Sequence, residues 1–441
     1  MRYALRFPFT FVAISLVTPL LGGCGSEPAE PTAEKPFAER MDAGVGAWMQ
    51  KAVDDGTLPG GVVRVEKLDG SGTYVRAFGL ADMEKGVAYK EDALVRIASM
   101  TKPITSVAVM ILVDEGKIAL DDPLGKYLPE WTSPTVLGAQ NPAAPLGYDT
   151  APATKPLTVR SLLTHTSGIS YRIMGPPLAP IYAQAGIVDG FQHTDLTLAE
   201  QSEKLAKLPL LHEPGADYSY GLNTDILGRL VEVVSGTTLD AFFTQRIFTP
   251  LGMTDTHFFP PADKSARMPL VYRRTASGGL EPVPADGATN VSEGDISFAA
   301  DFQTSGSKKY LSGGAGLVST AADYSKFLHM MAAGGELDGK RILEAGTVEE
   351  MTKNHIGTEL RADFYNSSFG LGFAVNDDPA RAADLGPVGT YFWSGIFKTR
   401  FWVDPQTQLI GICISQLWDL EDGTIDACPA EVYKALDATG P

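Results

Sequence analysis

The stretch Ala98-Ser99-Met100-Thr101-Lys102 opens a run, residues 103–113, that is apolar almost all round and breaks at Asp114-Glu115-Gly116. A helix with apolar residues on every face has to be buried, so this run sits at the centre of whatever core the chain builds. Pro103 lacks an N–H and fits only a first turn, while Gly116 suits the position just past a helix end. Ser99 and Lys102 therefore stand at the mouth of a buried helix, three residues apart and on one face. A hydroxyl is a poor nucleophile without a base beside it. A lysine becomes that base when its pKa falls, and burial and a helix N-terminus both disfavour an ammonium. The competing explanation of the same residues is a capping serine and a lysine that snorkels to solvent.

The rest of the chain narrows the class. At 441 residues and 44% apolar content it is long enough for one large or two modest globular domains. A formal net charge of −17 argues against a nucleic-acid partner, which needs a basic footprint, and against simple adsorption to anionic lipid. Arg2 and Arg6 precede an apolar segment, residues 7–21, that is too short and too interrupted by proline for a comfortable membrane span. It ends Leu21-Gly22-Gly23-Cys24, which resembles a bacterial lipobox. The expectation is a lipoprotein signal peptide over residues 1–23, lipidation at Cys24, and an extended Pro- and Glu-rich tether over residues 24–36. The protein is then exported and anchored facing the periplasm, with Gly25 favouring the outer membrane; a plain secretory peptide is the alternative. Beyond Cys24 only Cys413 and Cys428 remain, and two buried free thiols are expected rather than a disulfide.

Met41, Val45, Trp48 and Ala52 recur at helical spacing, and Val62, Val63 and Val65, a turn at 69–72 and residues 73–78 read as a hairpin. Residues 131–156 are rich in Pro, Ala and Gly and read as irregular; residues 157–169 hold a short helix and a turn. Helices are expected near 198–208, 224–234 and 239–248, and residues 260–309 are loop-rich. Ser312-Gly313-Gly314-Ala315-Gly316 reads as a tight turn, since no Walker lysine follows the glycines. Thr320 to Asp323 has the pattern of a helix cap. From residue 369 the period becomes that of strands, at 369–375, 388–393, 399–403 and 408–415, before a closing helix near 430–435. Strands at both ends with helices between them suggest an α+β fold. Its antiparallel sheet is built from both chain ends, about 37–100 and 310–441, around a mostly helical region at about 101–309.

Residues 97–122 (IASMTKPITSVAVMILVDEGKIALDD) resemble the serine β-lactamase and penicillin-binding-protein superfamily. They look most like class C β-lactamases and the related family VIII carboxylesterases, and the resemblance implies the same β-lactamase/transpeptidase-like architecture. Two further motifs follow in the family's order. Pro214-Gly215-Ala216-Asp217-Tyr218-Ser219-Tyr220 resembles the segment bearing the family's catalytic tyrosine. Its offsets, and the helix resembling Asp225-Ile226-Leu227-Gly228, put Tyr220 in the catalytic slot and Tyr218 in a packing slot. Leu222 stands where β-lactamases usually carry a substrate-binding asparagine, and Asn223 is one place off. Trp393-Ser394-Gly395-Ile396 falls where β-lactamases place a cation for the substrate carboxylate and the esterases place Trp-Gly-Gly. The resemblance, over about residues 37–433, implies Ser99 as nucleophile and Lys102 and Tyr220 as proton shuttles. It implies an oxyanion hole from the backbone N–H groups of Ser99 and Ile396, and substrate contacts at Leu222, Trp393, Ser394 and Gly395. His165 lies in a segment nearly identical to the family's and is expected to be structural, because Lys102 already supplies a base.

No G-x-S-x-G, HExxH or Cys/His cluster occurs, so neither an α/β-hydrolase nor a metal or other cofactor is expected. The expected activity is that of a serine carboxylesterase acting on small, short-chain acyl esters, with weak β-lactam opening as a side reaction. A β-lactamase or D-amino-acid peptidase is the first rival. A non-catalytic ligand-binding lipoprotein is the second. The natural ester and the oligomeric state do not follow from the residues.

Overall fold

The computed structural model describes residues 35–284, 291–293 and 296–437. The expected signal peptide, Cys24 and the tether as far as residue 34 lie outside the described residues.

The first helix, α1, runs through Phe37–Met41, a π-helical stretch at Asp42–Gly46, and Ala47–Asp54. Its buried residues Met41, Val45, Met49 and Ala52 form one stripe at helical spacing. Strands β1 (Gly60–Lys67) and β2 (Thr73–Asp82) form the expected hairpin, and β3 (Val87–Ala88) lies beyond β2. A 3₁₀ turn at Ala98–Met100 then leads into α2 (Thr101–Asp114), in which every residue from Thr101 to Leu112 is buried. Pro103 sits in its first turn, where a missing N–H removes no helical bond.

Residues 131–156 are not irregular throughout: β4 (Thr135–Gln140) and β5 (Tyr148–Pro152) pair as a hairpin. Pro142 and Pro145 occupy its turn, and Pro134, Pro152 and Pro156 fall at or beyond strand ends, so the ladder survives them. Both strands are largely exposed, which erased the apolar alternation that marks a strand. Helices α3 (Val159–Leu163), α4 (Leu178–Gln184), α5 (Leu198–Leu205), α6 (Asn223–Ser235) and α7 (Leu239–Phe243, extended through Thr244–Phe248 and Thr249–Leu251) fill the middle of the chain. Thr158 and Thr197 close capping boxes on α3 and α5. Thr320 caps α8 (Ala321–Ala332) by accepting from the Asp323 N–H.

The C-terminal strands are β6 (Ser368–Phe369), β7 (Ala374–Val375), β8 (Tyr391–Gly395), β9 (Thr399–Asp404) and β10 (Leu409–Ile414), followed by α9 (Cys428–Asp437). They join the N-terminal hairpin in one eight-stranded sheet ordered β6-β7-β8-β9-β10-β1-β2-β3. Every pairing in it is antiparallel, and β10 meets β1 from Val62↔Ile414 to Lys67↔Leu409. Both chain ends therefore build the sheet. Cys413 on β10 and Cys428 at the start of α9 are joined by a disulfide, with Cα atoms 6.5 Å apart. This corrects the expectation of two free thiols: strand and helix bring together residues that spacing alone could not pair. Among the described residues no helix is long and apolar enough to cross a membrane.

Candidate active site

The turn before α2 is wound tightly. Ala98 adopts a φ of +42°, a left-handed conformation that costs a non-glycine residue about 1–2 kcal/mol. The surroundings hold it there. Ile97 N–H donates to the Leu317 carbonyl at 3.1 Å, and the Tyr324 hydroxyl donates to the Met100 carbonyl at 2.9 Å. Ser99 is thereby presented, half-buried, on the wall of a cleft of about 460 Å³.

Lys102, one helical turn on, is 1% exposed. Its Nζ lies 3.1 Å from Ser99 Oγ, 3.0 Å from the Tyr171 hydroxyl and 2.9 Å from the Gly314 carbonyl oxygen. It also faces the ring of Tyr220, 4.6 Å from the centroid. Burial lowers the lysine from its ordinary value to about 7, against an opposing pull from the carboxylate of Asp225. A substantial fraction of Lys102 is then a neutral amine at neutral pH, able to accept the Ser99 proton.

Tyr220 completes the cluster. Its phenol lies against the Ser99 hydroxyl and accepts from the Trp393 indole N–H at 3.3 Å. Burial raises its pKa above the ordinary value, so it rests as a neutral phenol. Tyr218 is buried and packs on Phe369 at 5.5 Å, away from the cleft wall. His165 is fully buried and packs at a tilt against Tyr220, ring centres 4.8 Å apart; burial, with the nearby Lys102 ammonium second, drives its pKa well down. Its Nδ1 lies 2.8 Å from the Asn223 amide nitrogen. Asn223 also hydrogen-bonds Ser167, so its amide ties the 165–167 turn together and does not reach the cleft. Leu222 does not reach it either. It is fully buried in the main core, because the chain enters α6 at this point and turns the side chain inward. The expectation of a substrate contact at Leu222 is corrected accordingly.

Trp393, Ser394, Gly395 and Ile396 do line the cleft. Gly395 is required by close approach: a Cβ there would lie 2.4 Å from both the Ile97 carbonyl oxygen and Thr399 Oγ1. The end of β8 can therefore press against the Ser99 turn, and Ser99 and Ile396 both line the cleft. Behind Ser394 runs a polar chain. Its hydroxyl meets the Tyr365 hydroxyl at 2.5 Å, Tyr365 meets Asp426 Oδ1 at 2.9 Å, and Arg400 donates to the same oxygen at 3.0 Å. Ile173, Met174, Phe191, Phe364, Leu420 and Ile425 give the cleft a mainly apolar lining. Two partners of the lysine escaped sequence reasoning. Tyr171 lies just past the His165 segment, where the histidine drew attention first. Asp225, on a helix otherwise rich in buried apolar residues, could have been suspected as a buried acid. Among the described residues no group of His, Cys, Asp and Glu could hold a metal ion.

The arrangement is suited to acyl transfer through a serine ester: a hydroxyl, an amine poised near neutral pH, a neutral phenol and a strand end pressed against the turn that carries the hydroxyl. The Beta-lactamase family model matches residues 45–427. The Mycobacterium tuberculosis protein Rv1367c is 34% identical over 398 residues, covering 87% of this chain and 92% of that one. Esterase EstB of Burkholderia gladioli is 32% identical over 379 residues, covering 85% and 90%. Among solved structures, EstCE1, described as a hydrolase with promiscuous acyltransferase activity, superposes with a TM-score of 0.74 at 28% identity, covering 91% of this chain and 98% of that one.

Proposed function

The chain belongs to the Beta-lactamase family, with that family's antiparallel sheet and flanking helices, and is a serine hydrolase or acyltransferase of this fold; from that premise we propose that it is a carboxylesterase acting on short acyl esters. The observation that carries this is the 3.1 Å contact between Ser99 Oγ and a lysine whose pKa burial has brought to about 7. Ser99 attacks the ester carbonyl while Lys102 takes its proton. The oxyanion is held by the backbone N–H groups of Ser99 and Ile396, each worth roughly 3–4 kcal/mol of barrier. Tyr220, neutral and braced by Trp393, passes its proton to the departing alcohol and takes the serine proton from Lys102 in exchange, which returns the amine and the phenol to their starting states. Water then repeats the sequence on the acyl-enzyme. An alcohol in place of water gives acyl transfer by the same steps, as the description of EstCE1 suggests.

Two features favour esters over β-lactams. No cation occupies the place of Trp393 to hold a lactam carboxylate, and neither Leu222 nor the Asn223 amide reaches the cleft. We further propose that the enzyme is exported and lipid-anchored at Cys24, a reading that rests on Arg2, Arg6 and the Leu21-Gly22-Gly23-Cys24 sequence. The disulfide suits an oxidising compartment.

The test is turnover of p-nitrophenyl acetate, butyrate and laurate and of a chromogenic cephalosporin, with Ser99→Ala alongside. Fast short-ester turnover, slow cephalosporin opening and loss of both in the variant are expected. Cephalosporin turnover faster than ester turnover would make the protein a β-lactamase. Activity that survives Ser99→Ala would remove the nucleophile.

A further inference from the structure

We infer that Asp225 is a positioning residue of the Ser99 reaction, seated behind Lys102 across the Gly314 backbone and holding the lysine's charge in its working range. The inference rests on the esterase reading above. Asp225 is in the first turn of α6 and 1% exposed, and it is not part of the cleft wall. Its Oδ1 accepts from the Tyr310 hydroxyl at 3.1 Å. The Ser312 side chain and the Gly314 backbone also act on its carboxyl group, while Oδ2 is buried without a hydrogen-bond partner of good geometry. A buried carboxylate oxygen left in this state is costly unless a charge nearby offsets it.

Gly314 is the seam between the two groups. Its carbonyl accepts from Lys102 Nζ at 2.9 Å. A Cβ on it would lie 2.5 Å from Asp225 Oδ2 and 2.7 Å from the Tyr171 hydroxyl, which is itself 3.0 Å from Lys102 Nζ. Carboxylate and amine thus face each other across one backbone unit in a water-poor interior, where opposite charges act strongly.

The other groups around the pair are few. Tyr171, Tyr220, Tyr310 and the buried Asp189 face Asp225, and Asp189 takes the Arg172 backbone N–H at 3.0 Å. Tyr171, Tyr220 and His165 face Lys102, all buried, with His165 kept neutral. Lys102 is the cation that acts on Asp225, and Asp225 is the anion that acts on Lys102. Burial pulls the lysine's pKa down and the Asp225 carboxylate pulls it back up. The carboxylate restores part of the basicity.

The experiment is the pH dependence of kcat/KM and kcat for p-nitrophenyl acetate, from about pH 5 to about pH 9, in the full chain, Asp225→Asn and Tyr310→Phe. In Asp225→Asn the anion is gone, Lys102 loses its proton at lower pH, and the acidic limb of kcat/KM is expected to move down by at least about half a pH unit. In Tyr310→Phe the carboxylate loses a donor that favours its charge, so the limb moves the same way by less. A purely structural role would depress kcat at every pH and leave the limb in place. That result in a folded variant, or a limb that moves up, overturns the inference. Should Asp225→Asn fail to fold, Tyr310→Phe decides alone. Ser99→Ala, run in parallel, separates the two readings. Activity independent of Ser99 overturns the esterase assignment, whereas Ser99-dependent activity with unmoved limbs overturns only the role of Asp225.

Discussion

At the scale of single residues, Lys102 connects burial to chemistry. Its pKa falls from 10.5 to about 7 chiefly because the helix is buried, so below pH 7 the amine carries a proton and cannot serve as base. Turnover of short esters should rise with pH through about 7 and then level off; a flat profile from about pH 5 upward would show that Lys102 is not the base. The same shift sets a sign for stability. Between about pH 7 and the ordinary lysine value the unfolded chain binds more protons than the folded one, so this group makes the fold more stable as pH rises through that window. Gly395 offers a second test. Its Cβ-less backbone lets β8 meet the Ile97 carbonyl, and Gly395→Ala should lever the Ile396 N–H away from the oxyanion. The expected loss in kcat is about 10²–10³-fold, with the protein still folded by circular dichroism. A kcat within about twofold of the parent would mean that this N–H contributes nothing.

At the scale of elements, the disulfide joins β10 to α9, and the residues just before Cys428 form part of the cleft wall. Replacing Cys413 and Cys428 together by alanine should cost about 3 kcal/mol, the entropy of a loop of this length, read as a lowered urea midpoint. Because Asp426 braces Arg400 and Tyr365 beside Ser394, KM for esters should rise as well. An unchanged midpoint would mean that the bridge is absent or without consequence in solution. The elements differ in how plainly the residues announced them. Helix α2 was legible because a run that is apolar on every face has no other stable use. The β4–β5 hairpin was not legible, because its strands are exposed and carry no apolar alternation. Helix α4 went unread for a related reason: at Leu178–Gln184 it is too short for a period to establish itself, and it contains Pro180.

At the scale of the whole molecule, the described fold begins at the end of the expected tether, so the anchor can be tested apart from the catalyst. Cells expressing the full chain should incorporate labelled palmitate into the protein and retain it in the membrane fraction. Cys24→Ala should abolish the label and leave ester turnover by the purified domain within about twofold. No incorporation into the parent chain would sink the lipoprotein reading. The joining of the two chain ends in one sheet was anticipated from strands placed before and after a helical stretch. The order of strands in that sheet, and the pairing of β10 with β1, were not.

The residues alone placed Ser99 and Lys102 within reach of each other, since a spacing of three at a helix mouth is local geometry that any tertiary setting preserves. They also determined the burial of α2, since no solvent-facing arrangement of that run is stable. The tertiary structure alone decided the company Lys102 keeps. Tyr171 lies 69 residues away in the chain and Gly314 lies 212 away, with Asp225 behind it. It also withdrew Leu222 and the Asn223 amide from the cleft and closed the disulfide. Contacts over such separations depend on how sheet and helices pack as one body, and no local pattern of residues encodes where two distant segments will meet.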